Sequence, residues 1–274
     1  MLELPEVRVI SEQLKNRVVG RRVQRVMPPT KVHKFCWFNG EPSEYGEKLK
    51  GSKITGAEGF GIFVEINFDN GYKLCVNDGI NMRLVDGENR PKDFQLFIEF
   101  EEGEALVFTV AMYGGIYLYQ GEYDNSYYLA SKEALSPFSE AFKAYYMELL
   151  AKSKPSLSLK AFLATEQRFP GIGNGVLQDI LFEAGMHPKR KLQTLSEEDK
   201  EKLFRSITEV LLKMIQGGGR DTEKDLLGQK GGYKTQMSKN TMALSCPKCG
   251  GEIIKETYLG GSVYYCEHCQ PLVK

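Results

Sequence analysis

Four cysteines near the C-terminus have the spacing of a metal site. They form two Cys-x-x-Cys pairs, Cys246 with Cys249 and Cys266 with Cys269. Each pair presents two thiolates on a tight turn, and two such turns together make the tetrahedral sulfur site that suits Zn²⁺. Because protein atoms fill all four positions, the pattern predicts one structural zinc ion. His268, inside the second pair, is expected to be exposed and not a ligand.

A glycine-rich turn in the second half of the chain has the residues of a phosphate site. Pro170-Gly171-Ile172-Gly173 precedes Asn174, where a new helix is expected to begin. Exposed amides at a helix N-terminus bind anions, and glycines let a phosphate approach the backbone. Nearby basic residues would add charge: Lys160, Lys189 and Arg190. Such turns also occur as plain helix connectors, so both interpretations stay open on these residues alone.

Two carboxylates, Glu3 and Glu6, lie close to the N-terminus. On the residues alone they are acids in a first helical turn, where negative charge favours the helix dipole. The isolated cysteines Cys36 and Cys75 are expected to be buried free thiols.

The elements that must position these residues change character along the chain. Pro5–Val18 has the periodicity of a helix. Alternating apolar runs then predict strands of an antiparallel β-sandwich or barrel: Arg22–Met27, Ile62–Phe68, Tyr72–Val76, Phe94–Phe100, Ala105–Val110 and Ile116–Tyr119. From about Pro137 the periodicity is helical: Glu140–Ala151, Leu157–Arg168, Asn174–Ala184 and Ser196–Ile215. Glycines after residue 216 predict a loop that is mobile or approaches a ligand closely.

The predicted fold class is therefore α+β. An N-terminal helix and an antiparallel β-sandwich occupy residues 1–130, a helical domain occupies residues 131–240, and a zinc hairpin occupies residues 241–274. The hairpin strands are expected at Glu252–Tyr258 and Ser262–Tyr265.

Composition sets broad limits on function. The formal net charge is zero, but the residues from Lys152 onward are mildly basic, and a local basic face is enough to hold phosphates. No apolar run approaches the length of a membrane span. The first residues have neither a basic start nor an apolar run, so they do not resemble a signal peptide. A cytoplasmic, monomeric protein without a membrane partner is expected.

Three motifs together resemble one known family. The GIGN turn with the following LFEAGMHPKR, the terminal CxxC…CxxC-Gln, and the start MLELPEV resemble the helix–two-turn–helix, zinc finger and MPELPEV start of the formamidopyrimidine-DNA glycosylase / endonuclease VIII family. The resemblance covers nearly the whole chain. It implies a protein that binds damaged double-stranded DNA between a β-sandwich and a helical domain, flips out an oxidised base, cuts the glycosidic bond and nicks the strand.

The resemblance also assigns residues to the site. Glu3 matches the family's catalytic acid and Glu6 a second active-site carboxylate. Asn174, after Gly173, matches the phosphate-binding asparagine, and Lys160 a phosphate-contacting lysine. Other positions match the zinc ligands (the four paired cysteines), the loop that closes over the flipped base (Gly228–Tyr233) and the intercalating loop (Met112 and Tyr113). For Met112 and Tyr113, burial in the β-domain core is the alternative.

Three positions depart from the family pattern. Leu2 replaces the N-terminal proline whose amine is the family nucleophile, and Met1 should remain because cells remove Met only before small residues. The only α-amine is then displaced by up to ~3.3–3.6 Å along the chain. Phe60 stands where the family has a lysine, and Gly261 where it has a zinc-finger arginine.

These departures leave several functions open. The first is a DNA glycosylase with an altered nucleophile, in which Glu3 activates a water or the Met1 amine forms a Schiff base with an oxidised-base or abasic site. The second is a non-catalytic binder of damaged or abasic DNA. The third is an RNA-binding or assembly protein on the same scaffold.

Overall fold

A computed structural model describes residues 1–273. The N-terminal part contains α1 and nine strands with two further short helices: α1 Leu4–Arg17, β1 Val23–Met27, β2 Cys36–Phe38, α2 Tyr45–Leu49, β3 Ile54–Phe60, β4 Phe63–Phe68, β5 Tyr72–Val76, β6 Ile80–Asp86, β7 Leu96–Phe100, β8 Glu104–Val110, β9 Gly114–Gln120 and α3 Ser126–Glu133. The C-terminal part contains α4 Phe142–Lys152, α5 Leu159–Ala164, α6 Asn174–Ala184, α7 Glu197–Gln216, β10 Ile254–Tyr258 and β11 Gly261–Tyr265. The predicted α+β class is confirmed.

Two sheets form the β-sandwich. One has the order β1-β7-β8-β6 and the other the order β2-β9-β5-β4-β3. Alternating apolar side chains of both sheets meet in one core, which α1 joins through Val7, Ile10 and Leu14. The pairing is antiparallel as expected, except that the short edge strand β2, which the sequence did not predict, runs parallel to β9.

A second core lies in the helical part. Helices α4 to α7 pack through buried aromatic and aliphatic residues, and α7 contributes a stripe of Leu203, Ile207, Val210, Leu211 and Met214 at helical spacing. Ser196 begins α7 as predicted, and with Asp199 it forms a capping box. The first residues of the chain join both cores: Leu2 belongs to the sandwich core and Leu4 to the helical core. The N-terminus therefore lies at the junction of the two parts.

One predicted helix is shorter than its periodicity indicates. Helix α5 ends at Ala164, not near Arg168, because Thr165 is extended and Glu166 and Gln167 have left-handed backbone angles. The Arg168 guanidinium donates to the carbonyl oxygens of Ala161 and Thr165, at 3.2 and 3.1 Å, and so satisfies acceptors at the end of the helix.

The hairpin β10–β11 packs on α6. Phe182 of α6 contacts a small core that includes Cys246, Ile253 and Cys266. Gln270, which is fully buried, donates to the Met186 carbonyl at 2.9 Å. No helix within residues 1–273 combines the length and apolar character that crossing a bilayer requires. The domain limits at residues 130 and 240 stay predictions.

Candidate active site and metal centre

The carboxylate of Glu3 occupies the N-terminus of α6. The side chain is buried, and its two oxygens accept hydrogen bonds from the amides of Gly175 and Val176 at 2.8 and 2.7 Å. A carboxylate here is stabilised by the partial positive charge of the helix end. The amides of Gly175 and Val176 are therefore not free to bind a phosphate, because an acid from the chain's own N-terminus binds them.

A buried arginine, Arg220, joins both N-terminal carboxylates. Its Nε and Nη2 donate to the two oxygens of Glu6 at 3.0 and 2.6 Å, and its backbone amide donates to Glu6 Oε1 at 3.2 Å. Its Nη1 lies 3.3 Å from Glu3 Oε2. Burial favours a neutral guanidinium, but the two carboxylates hold the pKa of Arg220 above its ordinary value. These three side chains, Glu3, Glu6 and Arg220, form a buried ion triad.

Two glycines of the helix turn make room for the ion triad. A Cβ on Gly175 would overlap Nη1 of Arg220, and a Cβ on Gly173 would lie 2.6 Å from Glu3 Oε1. Any larger residue would therefore displace a buried ionic group. Both glycines thus allow protein side chains to come close to the start of α6.

The N-terminal amine pairs with a carboxylate outside the ion triad. Leu2 is buried, and its backbone nitrogen is an amide that donates to the Asp78 carbonyl at 2.7 Å. The Met1 α-amine contacts Glu223 Oε2 at 2.6 Å and remains partly exposed. Burial raises the pKa of the Asp78 carboxyl group to about 6, which the charge of the Met1 amine opposes. A free amine is thus available at Met1 and not at Leu2.

Positive side chains line the cleft beside Met1. This cleft has a volume of about 380 Å³, and besides Glu223 it is lined by Asn81, Arg83, Thr109, Thr222, Lys224 and Lys230. Three cations against one acid give it a positive potential. A narrower space between Met1, Leu2 and Glu6 holds only about 10 Å³, which is room for about one water molecule.

Lys160 and Asn174, the predicted phosphate contacts, both meet the hairpin. Lys160 Nζ lies 2.5 Å from the Tyr258 carbonyl oxygen, and Asn174 Nδ2 donates to the Ser262 carbonyl at 2.8 Å. Burial lowers the pKa of Lys160. Gly261 lies beside them, since a Cβ there would be 3.3 Å from Asn174 Nδ2. The structure thus brings Lys160, Asn174 and Gly261 together, and a role in binding phosphate stays a prediction.

Asn174 has an unused acceptor at this place. Its Oδ1 is buried and has no hydrogen-bond partner among residues 1–273. A buried acceptor without a hydrogen bond lowers stability. A donor that bonded to this oxygen would therefore be favourable.

The four paired cysteines meet at one point. Their sulfur atoms lie within 4.8 Å of one another: Cys246, Cys249, Cys266 and Cys269. The separations are 3.8 Å for Cys246 to Cys269 and 3.5 Å for Cys249 to Cys266. A tetrahedral site with metal–sulfur bonds of ~2.3 Å has sulfurs about 3.8 Å apart. The cluster therefore fits one metal ion, and His268 is exposed as predicted.

Phe60, at the position of the family lysine, lies in an aromatic cluster. Its ring stacks on Phe63, and Lys132 Nζ lies 5.3 Å from the ring centroid. The same ammonium group lies 3.3 Å from the buried carboxylate of Glu65. A cation therefore exists close to Phe60, but its charge is balanced within the protein.

The two loop candidates differ in their surroundings. Met112 and Tyr113 are both exposed, so burial in the core is wrong for them, and a wedging role stays a prediction. In the Gly228–Tyr233 stretch, the Tyr233 amide donates to the Gly219 carbonyl at 3.1 Å. The glycines here bring two backbone segments together beside Arg220. A role in closing over a base stays a prediction.

Sequence reasoning missed three residues of the site: Asp78, Arg220 and Glu223. No local motif marks them. Arg220 and Glu223 do lie in the glycine-rich stretch that was expected to approach a ligand, which was the one available signal.

A β-sandwich joined to a helix–two-turn–helix and a four-cysteine hairpin agrees with the architecture that the resemblance implies. Family models match both parts: the formamidopyrimidine-DNA glycosylase N-terminal domain matches residues 1–112, and the H2TH domain of that glycosylase matches residues 134–225. The chain belongs to the formamidopyrimidine-DNA glycosylase family.

Individual relatives align over almost the full length. The formamidopyrimidine-DNA glycosylase of Carboxydothermus hydrogenoformans is 28% identical and covers 98% of this chain and 100% of the relative. That of Legionella pneumophila is 28% identical and covers 100% of both chains. The Lactococcus lactis protein, solved in complex with DNA that contains an abasic site, has a TM-score of 0.84 at 22% identity over 98% of this chain and 99% of that one. This last likeness concerns the fold.

Proposed function

We propose that this chain repairs damaged double-stranded DNA as a glycosylase and abasic-site lyase whose nucleophile is the α-amine of Met1. One observation carries the proposal: the Met1 amine lies 2.6 Å from Glu223, and Glu223 lines a cleft that also contains Arg83, Lys224 and Lys230. A positive cleft suits a phosphate backbone. The relatives named as glycosylases, and the Lactococcus lactis complex with abasic-site DNA, support DNA as the substrate.

The chemistry at Met1 needs a proton acceptor, because a charged ammonium group cannot attack. The Glu223 carboxylate is within hydrogen-bond distance and takes one proton from the amine. The nitrogen then bonds to C1′ of the ring-opened abasic sugar. The aldehyde oxygen leaves as water after it gains the proton from Glu223 and a second proton from nitrogen. The product is a Schiff base between Met1 and the sugar.

Activation of water by Glu3 has weaker support. One oxygen of Glu3 accepts from the Gly175 amide, and the other accepts from Val176 and lies beside Arg220. Burial raises the pKa of the Glu3 carboxyl group, but the residue is only 3% exposed, so water has almost no access to it.

A second candidate function is a damage binder without catalysis. The buried ion triad favours it, because both family carboxylates are paired with Arg220. In this alternative the triad holds the two parts of the protein together, and the cleft binds damaged or abasic DNA without reaction.

The ion at the four cysteines is proposed to be Zn²⁺, since a closed set of four thiolates suits it. It would hold Cys246–Cys249 and Cys266–Cys269 together and supply no catalysis. A monomeric state and a cytoplasmic location stay predictions.

Borohydride trapping on a duplex with an abasic site tests the proposal. Borohydride reduces a Schiff base to a stable amine, and mass spectrometry of the digested adduct then locates the attachment. We expect it on Met1, with at least tenfold slower trapping for Glu223→Gln. Glu209→Gln, on exposed α7, is the matched control and should trap at the wild-type rate.

Each other result has a defined meaning. An adduct on Lys224 or Lys230 would identify a lysine as the nucleophile and would contradict the role of Met1. Tight binding without any adduct, and without release of an oxidised base in a separate assay, would favour the non-catalytic binder. Failure to bind damaged duplex at all would exclude both candidates.

A further inference from the structure

Asp78 brings a second carboxyl group to the N-terminal amine. It belongs to the tight turn between β5 and β6, and its carbonyl accepts the hydrogen bond of the Leu2 amide at 2.7 Å. Asp78 therefore contacts the residue that follows Met1. Glu223, which contacts the amine itself, comes from a different segment, after α7. Two acids from separate elements thus lie at the proposed nucleophile.

Three tyrosines and one cation face the carboxyl group of Asp78. The tyrosines come from the β8–β9 loop, β9 and α3: Tyr113, Tyr117 and Tyr127. Burial and the charge of Asp78 raise the pKa of each, so all three stay neutral. Burial also raises the pKa of Asp78 to about 6, against the opposing charge of the Met1 amine. At neutral pH this carboxyl group is mostly ionised and still accepts a proton readily, as a general base must.

Hydrogen bonds fix the turn on both sides of Asp78. Asn77 Oδ1 accepts from the Gly115 amide at 2.8 Å, and the Gly79 amide donates to the Tyr113 carbonyl at 2.9 Å. A Cβ on Gly79 would lie 2.6 Å from that carbonyl oxygen, so the two segments approach closely. A carboxyl group on a turn held in this way keeps its place beside the N-terminal amine, and proton transfer needs such fixed geometry.

The second half of a lyase reaction needs a base at carbon. Strand cleavage begins when C2′ of the sugar in the Schiff base loses a proton. The electron pair of the C2′–H bond forms a C1′=C2′ double bond, and the electron pair of the C=N bond moves to the Met1 nitrogen. These electrons then return, a C2′=C3′ double bond forms, and the C3′–O bond breaks with the phosphate as the leaving group.

We propose that Asp78 is the base that removes the C2′ proton and is thus the catalytic residue of strand cleavage. This inference rests on the proposed function, because it needs the Schiff base at Met1. Glu223 stays beside the positive nitrogen, whereas an acid on another element can approach the neighbouring carbon. The phosphate leaves as an anion and needs no proton, and Asp78 passes its proton to water. Glu223 therefore serves the formation of the Schiff base, and Asp78 serves its breakdown.

Borohydride trapping and strand cleavage measure the two steps separately on one duplex with an abasic site. Asp78→Asn removes the base, and asparagine tolerates the left-handed backbone angle of this position. We expect the adduct at Met1 to form within about threefold of the wild-type rate. Cleavage in a single turnover should be slower by about a hundredfold or more, so the trappable adduct accumulates. Circular dichroism establishes that each variant is folded.

The pH profile of cleavage is a readout that a structural role would not change. A base must be ionised to act, so wild-type cleavage of the accumulated Schiff base should rise as the pH increases through about 6 and then level off. Asp78→Asn should lack this rise. Asp78→Glu retains a carboxylate and should recover part of the cleavage. Asp124→Asn, at an exposed position, is the matched control and should cleave like wild type.

The results separate this inference from the proposed function. Unchanged cleavage in Asp78→Asn, with normal trapping at Met1, would overturn the role of Asp78 and leave the proposed function intact. Equal losses of trapping and cleavage in Asp78→Asn would also overturn it, because Asp78 would then only hold the N-terminus in place. Failure of the wild-type protein to form an adduct at Met1 would contradict the proposed function itself, and the role of Asp78 with it.

Discussion

Arg220 and Glu6 form a two-point ion pair in the interior of the protein. Nε and Nη2 of the arginine contact the two carboxylate oxygens at 3.0 and 2.6 Å, and both side chains are almost fully buried. Because Glu3 shares the same guanidinium, one cation balances two acids at the start of α1, Glu3 before the helix and Glu6 in its first turn. The pair joins the N-terminus to the segment that follows α7, so it holds the junction between the two parts of the chain.

Removal of the central cation should destabilise the protein strongly. Arg220→Met leaves Glu3 and Glu6 buried without a counter-charge, and we expect a loss of about 3–5 kcal/mol in the free energy of unfolding. Urea denaturation monitored by circular dichroism measures it. Arg205→Met, on the exposed face of α7, is the matched control and should change stability by less than about 0.5 kcal/mol. Equal losses in the two variants would contradict the importance of the ion triad.

Local and distant features of the site differ in how far the sequence predicted them. The four-cysteine hairpin and the start of α6 at Asn174 follow from patterns within a few residues, and both were found. The partners of the N-terminus were not found, because Arg220 lies 214 residues from Glu6 and Glu223 lies 222 residues from Met1. No periodicity or motif encodes which charges meet at such separations.

The exposure of residues at the edge of the sandwich is a second feature that could not be predicted from the sequence. Met112 and Tyr113 were equally compatible with core and surface, since an apolar residue in a β-rich region occurs in both. Both residues lie in the short loop between β8 and β9, outside the strands whose alternation indicates burial. Only the tertiary structure shows that Trp37 joins them.

Asp78 should give the stability a distinct pH dependence. Its pKa is about 6 in the folded protein against 3.8 for the ordinary side chain, because burial disfavours its charged form. A raised pKa means that its contribution to stability is complete below about pH 3.8 and is lost as the pH rises through about 6. Asp78→Asn should therefore be more stable than wild type above pH 6, by about 1–2 kcal/mol after solvent screening.

Thermal or urea unfolding across this pH range measures the effect of Asp78→Asn. Asparagine tolerates the left-handed backbone angle of this position, so the variant isolates the charge. Asp124→Asn, at an exposed position, is the control. A stability difference between wild type and Asp78→Asn that stays constant from pH 4 to pH 8 would contradict the assignment.

Metal removal should loosen the hairpin and leave the sandwich folded. Without an ion, four thiolates at this distance repel one another, and the hairpin has only a small core of its own. A chelator, or Cys249→Ser, should weaken binding to abasic DNA at least tenfold, because Lys160 and Asn174 contact the hairpin. Metal analysis by mass spectrometry identifies the ion. Cys36→Ser, outside the cluster, is the control and should retain the metal. Unchanged DNA binding after complete metal loss would contradict the dependence of DNA binding on the hairpin.

The positive cleft should make DNA binding depend on salt. Lys224 and Lys230 line it, and neither forms an ion pair within residues 1–273. Each phosphate contact releases counterions, so the logarithm of the association constant falls by about 0.9 for each tenfold increase in salt per contact. Lys230→Gln should therefore reduce the slope of this dependence by about 0.9.

Fluorescence anisotropy over a series of salt concentrations measures the slope. Lys213→Gln, on the exposed face of α7, should leave it unchanged. If the slope is equally small for wild type and for both variants, phosphates do not bind in this cleft, and the Met1 amine is not placed beside the DNA backbone.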